Sequence, residues 1–133
     1  DPETQAVLPL LESDLLTIMK AVTEERLSEV EVKWSDGAAC CVVAASDGYP
    51  VSYEKGYEIT IPAAVADSVY VAGAALKDGK LVNNGGRVLG VTSVADTLQD
   101  AIAASYAKVD VIHFDNAFCR RDIGQRALKA MKE

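Results

Sequence analysis

One short segment of the sequence carries residue types that bind an anion. In Asn84-Gly85-Gly86-Arg87, two glycines are followed directly by an arginine. Glycines let the backbone approach a ligand and present its N–H groups, and a guanidinium adds a planar fork of donors. The segment therefore predicts a small anion cradle formed by Asn84, Gly85, Gly86 and Arg87. A plain hairpin loop without a ligand is the alternative that the same residues allow.

No other segment favours a catalytic group. The single histidine, His113, lies between Ile112 and Phe114 in a strand-like run, where a structural role is more common than a catalytic one. Ser46-Asp47-Gly48-Tyr49-Pro50 is typical of a turn first, and of a lid or binding loop second. The acidic pair Glu24-Glu25 is expected at a solvated helix end. We therefore expect no catalytic residue in this chain.

The cysteines and the histidine limit the metal and disulfide chemistry. The chain has 3 cysteines, an odd number that does not suit a secreted disulfide framework. Cys40 and Cys41 are adjacent in a strand-like run and should point to opposite faces. With 1 histidine and no Cys-X-X-Cys motif, a structural zinc ion has almost no ligands. The sequence predicts free thiols at Cys40, Cys41 and Cys119, no metal site, and a reducing, cytoplasmic location.

The composition is that of one globular domain. The chain has 133 residues, of which 50% are hydrophobic and 25% charged, so it is too apolar to be disordered and large enough to bury a core. Its uncharged stretches are much shorter than the ~18 residues of a membrane span, and Asp1-Pro2-Glu3 does not begin a signal peptide. The formal net charge of −7 disfavours a general attraction to nucleic acid or to an anionic membrane. We expect neither as a partner.

Apolar periodicity divides the chain into helices and strands. Short helices are expected before and after Ser13-Asp14, a longer one from about Asp96, and a short helix or frayed tail over residues 123–131. The predicted strands cover residues 30–34, 38–45, 57–61, 69–76, 80–82, 87–94 and 112–114. Asp36-Gly37 and Asp78-Gly79 are the candidate hairpin turns. This order is typical of an α+β fold with a mostly antiparallel sheet and a packed helix.

The N-terminal helices carry an unusually large apolar surface. Leu15, Ile18, Met19 and Val22 recur at helical spacing, directly after the apolar run at residues 6–11. A surface of this kind needs a large partner surface, which the remaining chain does not obviously provide. The change from helical to alternating spacing near Glu29 is the best position for a domain boundary.

A series of short motifs follows one another along nearly the whole chain. They are Asp-Pro-Glu-Thr-Gln at 1–5, Leu-Pro-Leu-Leu-Glu-Ser-Asp-Leu at 8–15, Val-Lys-Trp-Ser-Asp at 32–36, Gly-Tyr-Pro at 48–50, Tyr-Glu-Lys-Gly at 53–56, Leu-Lys-Asp-Gly-Lys-Leu-Val at 76–82, Asn-Gly-Gly-Arg-Val-Leu-Gly-Val at 84–91, Ile-His-Phe at 112–114 and Arg-Arg-Asp-Ile-Gly at 120–124. No single motif is specific. The ordered set resembles the glycinamide ribonucleotide synthetase (phosphoribosylamine–glycine ligase) family.

The resemblance implies that the chain is the C-terminal part of a longer ligase. Residues 1–28 would end its ATP-grasp domain, and residues 29–133 would form the C-terminal β-rich domain that closes the active site. The family joins phosphoribosylamine to glycine in de novo purine biosynthesis and converts ATP to ADP and phosphate. ATP and Mg²⁺ or Mn²⁺ are the implied cofactors. The metal ligands are expected just upstream of Asp1, so the chain alone should be inactive.

The resemblance also implies roles for particular residues. Related ligases place an arginine loop of this domain against the substrate phosphate, and the anion cradle at Asn84, Gly85, Gly86 and Arg87 matches that loop in position. Asp1 and Glu3 are expected beside the active site, with helix capping as their nearer role.

Two segments depart from the family pattern. Asp47 stands where a small residue is usual, and residues 116–119 replace a glycine and aromatic residues. Neither departure touches the anion cradle. A stand-alone, non-enzymatic ligand-binding or interaction domain is the alternative function.

Overall fold

Two antiparallel sheets and their helices make up residues 2–131, the part of the chain that the structure, a computed structural model, describes. The strands are β1 (Ala38–Ser46), β2 (Val69–Val71), β3 (Ala74–Lys77), β4 (Lys80–Asn83), β5 (Arg87–Ala95) and β6 (Ala117–Phe118). The main sheet has the strand order β2-β5-β1-β6, and β3 and β4 form a small second sheet. The α+β class and the mostly antiparallel pairing are therefore confirmed. The α-helices are α1 (Glu3–Val7), α2 (Leu15–Thr23), α3 (Leu98–Val109) and α4 (Gln125–Ala130), and 3₁₀ turns cover Leu8–Leu10, Leu27–Glu29 and Ala63–Ser68.

The helix α3 covers one face of the main sheet and creates the core. It begins after Thr97, whose hydroxyl accepts a hydrogen bond from the Asp100 N–H at 3.1 Å. Strand residues at alternate positions pack with the inward side of this helix, and each fully buried Val or Leu side chain contributes about 1.5–3 kcal/mol. The shared core includes Cys40, Val42, Ala44, Leu89, Val91, Ala101 and Ile102.

The opposite face of the sheet carries α1. Its Gln5 lies over the sheet, since a Cβ added to Gly90 would be 3.3 Å from the Cys41 sulfur and 3.9 Å from the Gln5 Cγ. Cys41 is buried on this face, whereas Cys40 belongs to the core with α3. The predicted opposite orientation of Cys40 and Cys41 is therefore confirmed.

Three predicted strands reduce to isolated contacts. Residues 30–34 pair only through the bridge between Leu11 and Trp34, so Asp36-Gly37 does not join two paired strands and the hairpin prediction is wrong. Residues 57–61 and 112–114 make single bridges, of which one joins Thr60 to His113. The alternation of apolar and polar residues in these segments therefore reflects extended chain that is half-buried, without a continuous ladder of hydrogen bonds to a neighbouring strand.

The predicted strand over residues 69–76 breaks in two. Gly73 separates β2, in the main sheet, from β3, in the small sheet. The turn prediction at Asp78-Gly79 is confirmed, because these residues have φ of 50° and 79° and join β3 to β4. The short strand β6 was not predicted, since two residues leave no periodicity to detect.

The apolar surface of the N-terminal helices remains exposed in the described part of the chain. Asp14 caps α2 by accepting a hydrogen bond from the Thr17 N–H at 2.7 Å. Beyond this cap Leu16, Met19 and Val22 are 60%, 58% and 56% exposed. The expectation that the remaining chain does not cover this surface is confirmed for Leu15, Met19 and Val22, whereas Ile18 is half-buried. Within residues 2–131, no helix has the length and apolar character required to cross a membrane.

Candidate functional site

The segment that links β4 to β5 passes from the small sheet to the main sheet. Because β4 pairs with β3 and β5 pairs with β1 and β2, the two linked strands are not hairpin partners, and the plain-hairpin alternative is wrong. The backbones of Gly73 and Gly85 touch here, since a Cβ on Gly85 would lie 2.8 Å from the Gly73 Cα. The Asn84 N–H donates to the Gly73 carbonyl at 2.8 Å. The link is therefore held tightly against the point where β2 ends.

A β-bulge decides which face of the sheet carries Arg87. Leu89 pairs with Ala44 on the face covered by α3, but the next pair joins Arg87 to Ala45, so Val88 is an extra residue. Strict alternation from Leu89 would turn Arg87 toward α3. The bulge instead turns it to the face of Ala45, on the side of α1.

Tyr49 meets this arginine from the loop after β1. The Arg87 Nη1 donates a hydrogen bond to the Tyr49 hydroxyl at 3.3 Å. The tyrosine ring lies directly on Gly86, because a Cβ added there would be 1.9 Å from the ring. Residues 47–51 form a turn in which Gly48 has φ of 88°, so the predicted turn is confirmed over residues 47–50, while Ser46 is the last residue of β1. Tyr49 was not among the predicted site residues, although its loop was a candidate binding loop.

Arg87 and Tyr49 border a cavity of about 200 Å³. Its lining is mainly apolar and includes residues from the outward face of β1 and from β6, together with Arg87 and Arg120. A small molecule with an anionic group and a less polar body suits such a site, because most ligand cavities combine apolar walls with a few placed polar groups. The lining residues are Pro2, Cys41, Val43, Ala45, Tyr49, Arg87, Phe118, Cys119, Arg120 and Ile123.

A second arginine, Arg120, lines the same cavity. Its Nε and Nη2 donate to the two carboxylate oxygens of Asp122 at 2.9 and 2.6 Å. This pairing lowers the pKa of Asp122 and fixes the arginine in one orientation. The Tyr106 hydroxyl donates to the Arg120 carbonyl at 2.8 Å, which ties the segment to α3. No role was predicted for Arg120. The only sequence signal that involves this residue is the Arg-Arg-Asp-Ile-Gly motif at 120–124.

Pro2, the neighbour of Glu3, lines the same cavity as Arg87. The pKa of the Glu3 carboxyl is lowered, chiefly by a hydrogen bond from its own backbone N–H. The roles of Glu3 and Arg87 at the site stay predictions. Asp1 lies outside the described residues.

The two cradle glycines serve contacts within the protein. Gly86 is buried and Gly85 half-buried, whereas Asn84 and Arg87 are exposed. The Gly85 carbonyl accepts from the Ser46 hydroxyl at 3.0 Å, and the Gly86 carbonyl accepts from the Ser46 N–H at 2.8 Å. The glycines are thus required for close packing, and their N–H groups as anion donors stay a prediction.

The remaining chemical candidates lie elsewhere. His113 has a side chain that is 75% exposed and pairs with Thr60 through its backbone. Cys40 and Cys41 are free thiols whose pKa is raised by burial, and Cys119 is also free. Across residues 2–131, no three His, Cys, Asp or Glu side chains are grouped closely enough to hold a metal ion. The described residues therefore offer no cluster of side-chain ligands that fits a Mg²⁺ or Mn²⁺ ion.

Comparison with known proteins places this chain in a family. The sequence model of the family "Phosphoribosylglycinamide synthetase, C domain" matches residues 39–126. A phosphoribosylamine–glycine ligase of Synechocystis is 50% identical over 132 residues, which cover 96% of this chain and 32% of the relative. A bifunctional purine biosynthetic protein PUR2,5 of Pichia angusta is 46% identical over 132 residues, covering 97% of this chain and 17% of that protein.

A solved structure shows the same relation. The crystal structure of the phosphoribosylamine–glycine ligase of Thermotoga maritima matches with a TM-score of 0.75 and 36% identity, over 92% of this chain and 30% of that one. The chain thus spans about 30% of the length of the ligases it matches. From its sequence and fold together, the chain belongs to the phosphoribosylglycinamide synthetase family, and its residues 39–126 match the C domain of that family.

Proposed function

We propose that this chain is the C-terminal part of a phosphoribosylamine–glycine ligase, a purine-biosynthetic enzyme. The ligase would transfer the γ-phosphoryl group of ATP to the glycine carboxylate, giving ADP and an acyl phosphate. The amine of phosphoribosylamine would then attack the acyl carbon and release phosphate, which leaves glycinamide ribonucleotide. The observation that carries the proposal is the bulge-directed Arg87 beside Tyr49 at the edge of a cavity, in a chain of this family.

In this proposal the chain binds substrate and closes the active site. Arg87 holds the phosphate of phosphoribosylamine, with Asn84, Gly85 and Gly86 beside it, because a guanidinium fork matches phosphate oxygens. Glycine, ATP and Mg²⁺ or Mn²⁺ would be bound mainly by the ATP-grasp part of the ligase, since residues 2–131 do not fit the metal ion. No described residue is assigned to the chemical step.

The proposal also accounts for the exposed N-terminal surface. Residues 1–28 would complete the ATP-grasp domain, and residues 29–133 would form the C-terminal domain. In this arrangement the apolar side chains of α2 would be buried against the rest of the ligase instead of facing water. A stand-alone binding module would leave them exposed. The free thiols suit the cytoplasm, where thiols are kept reduced.

The proposed function is tested with the full-length protein that contains this sequence. We expect formation of glycinamide ribonucleotide that requires ATP, glycine and phosphoribosylamine together. The same protein without residues 29–133 should lose this activity. A full-length protein that consumes no ATP with both substrates present would overturn the proposal.

A further inference from the structure

Asn83 is a completely buried polar residue, 0% exposed, directly before the link that leads to Arg87. Its side-chain oxygen accepts a hydrogen bond from the Tyr57 N–H at 2.8 Å. Its side-chain nitrogen lies 2.8 Å from the Ser46 hydroxyl, 2.9 Å from the Glu54 carbonyl and 3.2 Å from the Asn116 side-chain oxygen. One side chain therefore joins the end of β1, the loop over residues 54–57 and the segment before β6.

Ser46 connects Asn83 to the anion cradle by hydrogen bonds. It is also 0% exposed, and its hydroxyl accepts from Asn83 while donating to the Gly85 carbonyl at 3.0 Å. Its backbone N–H donates to the Gly86 carbonyl at 2.8 Å. Both glycines that precede Arg87 are therefore fixed by one residue, and that residue is oriented by Asn83.

The same residue fixes the other side of the site. The Tyr49 N–H donates to the Ser46 carbonyl at 3.1 Å, and the Tyr49 ring packs on Gly86. The ring then presents its hydroxyl to Arg87. Ser46 therefore holds the backbone that carries Tyr49 and the backbone that carries Arg87, and these two side chains meet beside the cavity.

Because its polar groups are buried, this hydrogen-bond network holds the cradle and the Tyr49 loop in one geometry. A buried polar group without a hydrogen bond is strongly unfavourable, so a fully bonded cluster tolerates few alternative geometries. The Asn83 and Ser46 side chains meet that condition, because their polar atoms have the partners given above. Displacement of either would release the link and the loop together.

We propose that Asn83 and Ser46 are positioning residues of the ligase, which orient Arg87 and Tyr49 for the phosphate of phosphoribosylamine. This inference rests on the proposed function. Neither residue touches the ligand in this scheme, because both are completely buried beneath the cradle. Their effect on substrate binding is transmitted by the Gly85 and Gly86 carbonyls and by the Tyr49 backbone.

The chain offers a matched control for a test of Ser46. Ser105 is likewise 0% exposed and donates its hydroxyl to a backbone carbonyl, that of Cys40, at 2.7 Å. Ser46→Ala and Ser105→Ala each delete one buried hydroxyl and leave one carbonyl without its donor, and Ser46→Ala also removes one acceptor of the Asn83 amide. In the full-length ligase we expect both variants to lower Tm, and Ser46→Ala to lower it somewhat more. Ser46→Ala alone should raise KM for phosphoribosylamine, by about 3- to 10-fold, while KM for ATP and for glycine stays unchanged.

A double-mutant cycle separates positioning from general damage. If Ser46 acts through Arg87 and Tyr49, adding Ser46→Ala to Arg87→Ala should raise KM for phosphoribosylamine by a smaller factor than Ser46→Ala does alone. Asn83→Asp, which sets a carboxylate oxygen against other oxygen acceptors, should raise it more than Ser46→Ala does. Equal KM values for Ser46→Ala and Ser105→Ala would overturn the inference, and so would additive effects in the cycle. If Arg87→Ala itself left KM unchanged, the proposed role of Arg87 would fall as well.

Discussion

Replacing Arg87 with alanine removes the charged group on which the proposed substrate site depends. The Arg87 side chain is exposed in this structure, so its loss should change Tm little. A hydrogen bond from a charged donor to a phosphate is worth about 1.5–3 kcal/mol, which corresponds to roughly 10- to 150-fold in affinity. We therefore expect Arg87→Ala to raise KM for phosphoribosylamine by about that factor in the full-length ligase.

The assay follows initial rates while each substrate is varied in turn. KM for ATP and glycine should change little, because the lost contact concerns only phosphoribosylamine. Arg87→Lys should recover part of the loss, since an ammonium supplies charge without the planar fork of donors. The control is Arg126→Ala, which removes an exposed arginine of α4 outside the cavity lining. A KM for phosphoribosylamine within twofold of the unmodified enzyme, together with a lowered Tm, would show that Arg87 is structural and refute the reasoning.

The remaining predictions concern the isolated chain and the cradle glycines. The 133-residue chain alone should neither hydrolyse ATP nor form glycinamide ribonucleotide, because phosphoryl transfer depends on positioning groups expected outside it; turnover by the purified chain with glycine and Mg²⁺ would contradict this. Without reductant, unfolded chain should take up three equivalents of a thiol reagent. Folded chain at pH 8 should react first at Cys119, because burial raises the pKa of Cys40 and Cys41 and so leaves less thiolate there. Gly85→Ala should lower Tm more than Gly86→Ala, since its new Cβ meets backbone at 2.8 Å, whereas the ring beside Gly86 can rotate away; equal shifts of Tm would mean that the backbone yields as easily as the ring.

The long elements of this fold were predictable because their patterns extend over many residues. β1 and β5 have nine residues each, and the apolar spacing of α3 places Ile102 and Val109 in the core. Asp78-Gly79 was predictable for a local reason, since the turn requires positive φ at two adjacent residues. In each case the residues themselves contain the information that selects the structure.

The rest depends on which segments meet in the folded chain. Residues 57–61 alternate like a strand, but their neighbours offer only single bridges, at Val82 and His113. The bulge at Val88 reverses the face that simple alternation assigns to Arg87, and it arises from the register with β1. Tyr49 reaches the site only because its loop folds back over Gly86, a tertiary contact with no local signature.

The exposed apolar face of α2 has a consequence for concentrated solutions of the isolated chain. This face exposes Leu16, Met19 and Val22, through which two copies of the chain can associate. Electrostatic repulsion from the net charge of −7 is the main effect that opposes this association. As pH falls toward about 4, the carboxylates take up protons and this repulsion fades, while the apolar face stays unchanged. Added salt screens the same repulsion. The colloidal stability of the chain should therefore be greatest in dilute buffer above neutral pH, and light scattering should rise steeply on acidification before the fold itself is lost.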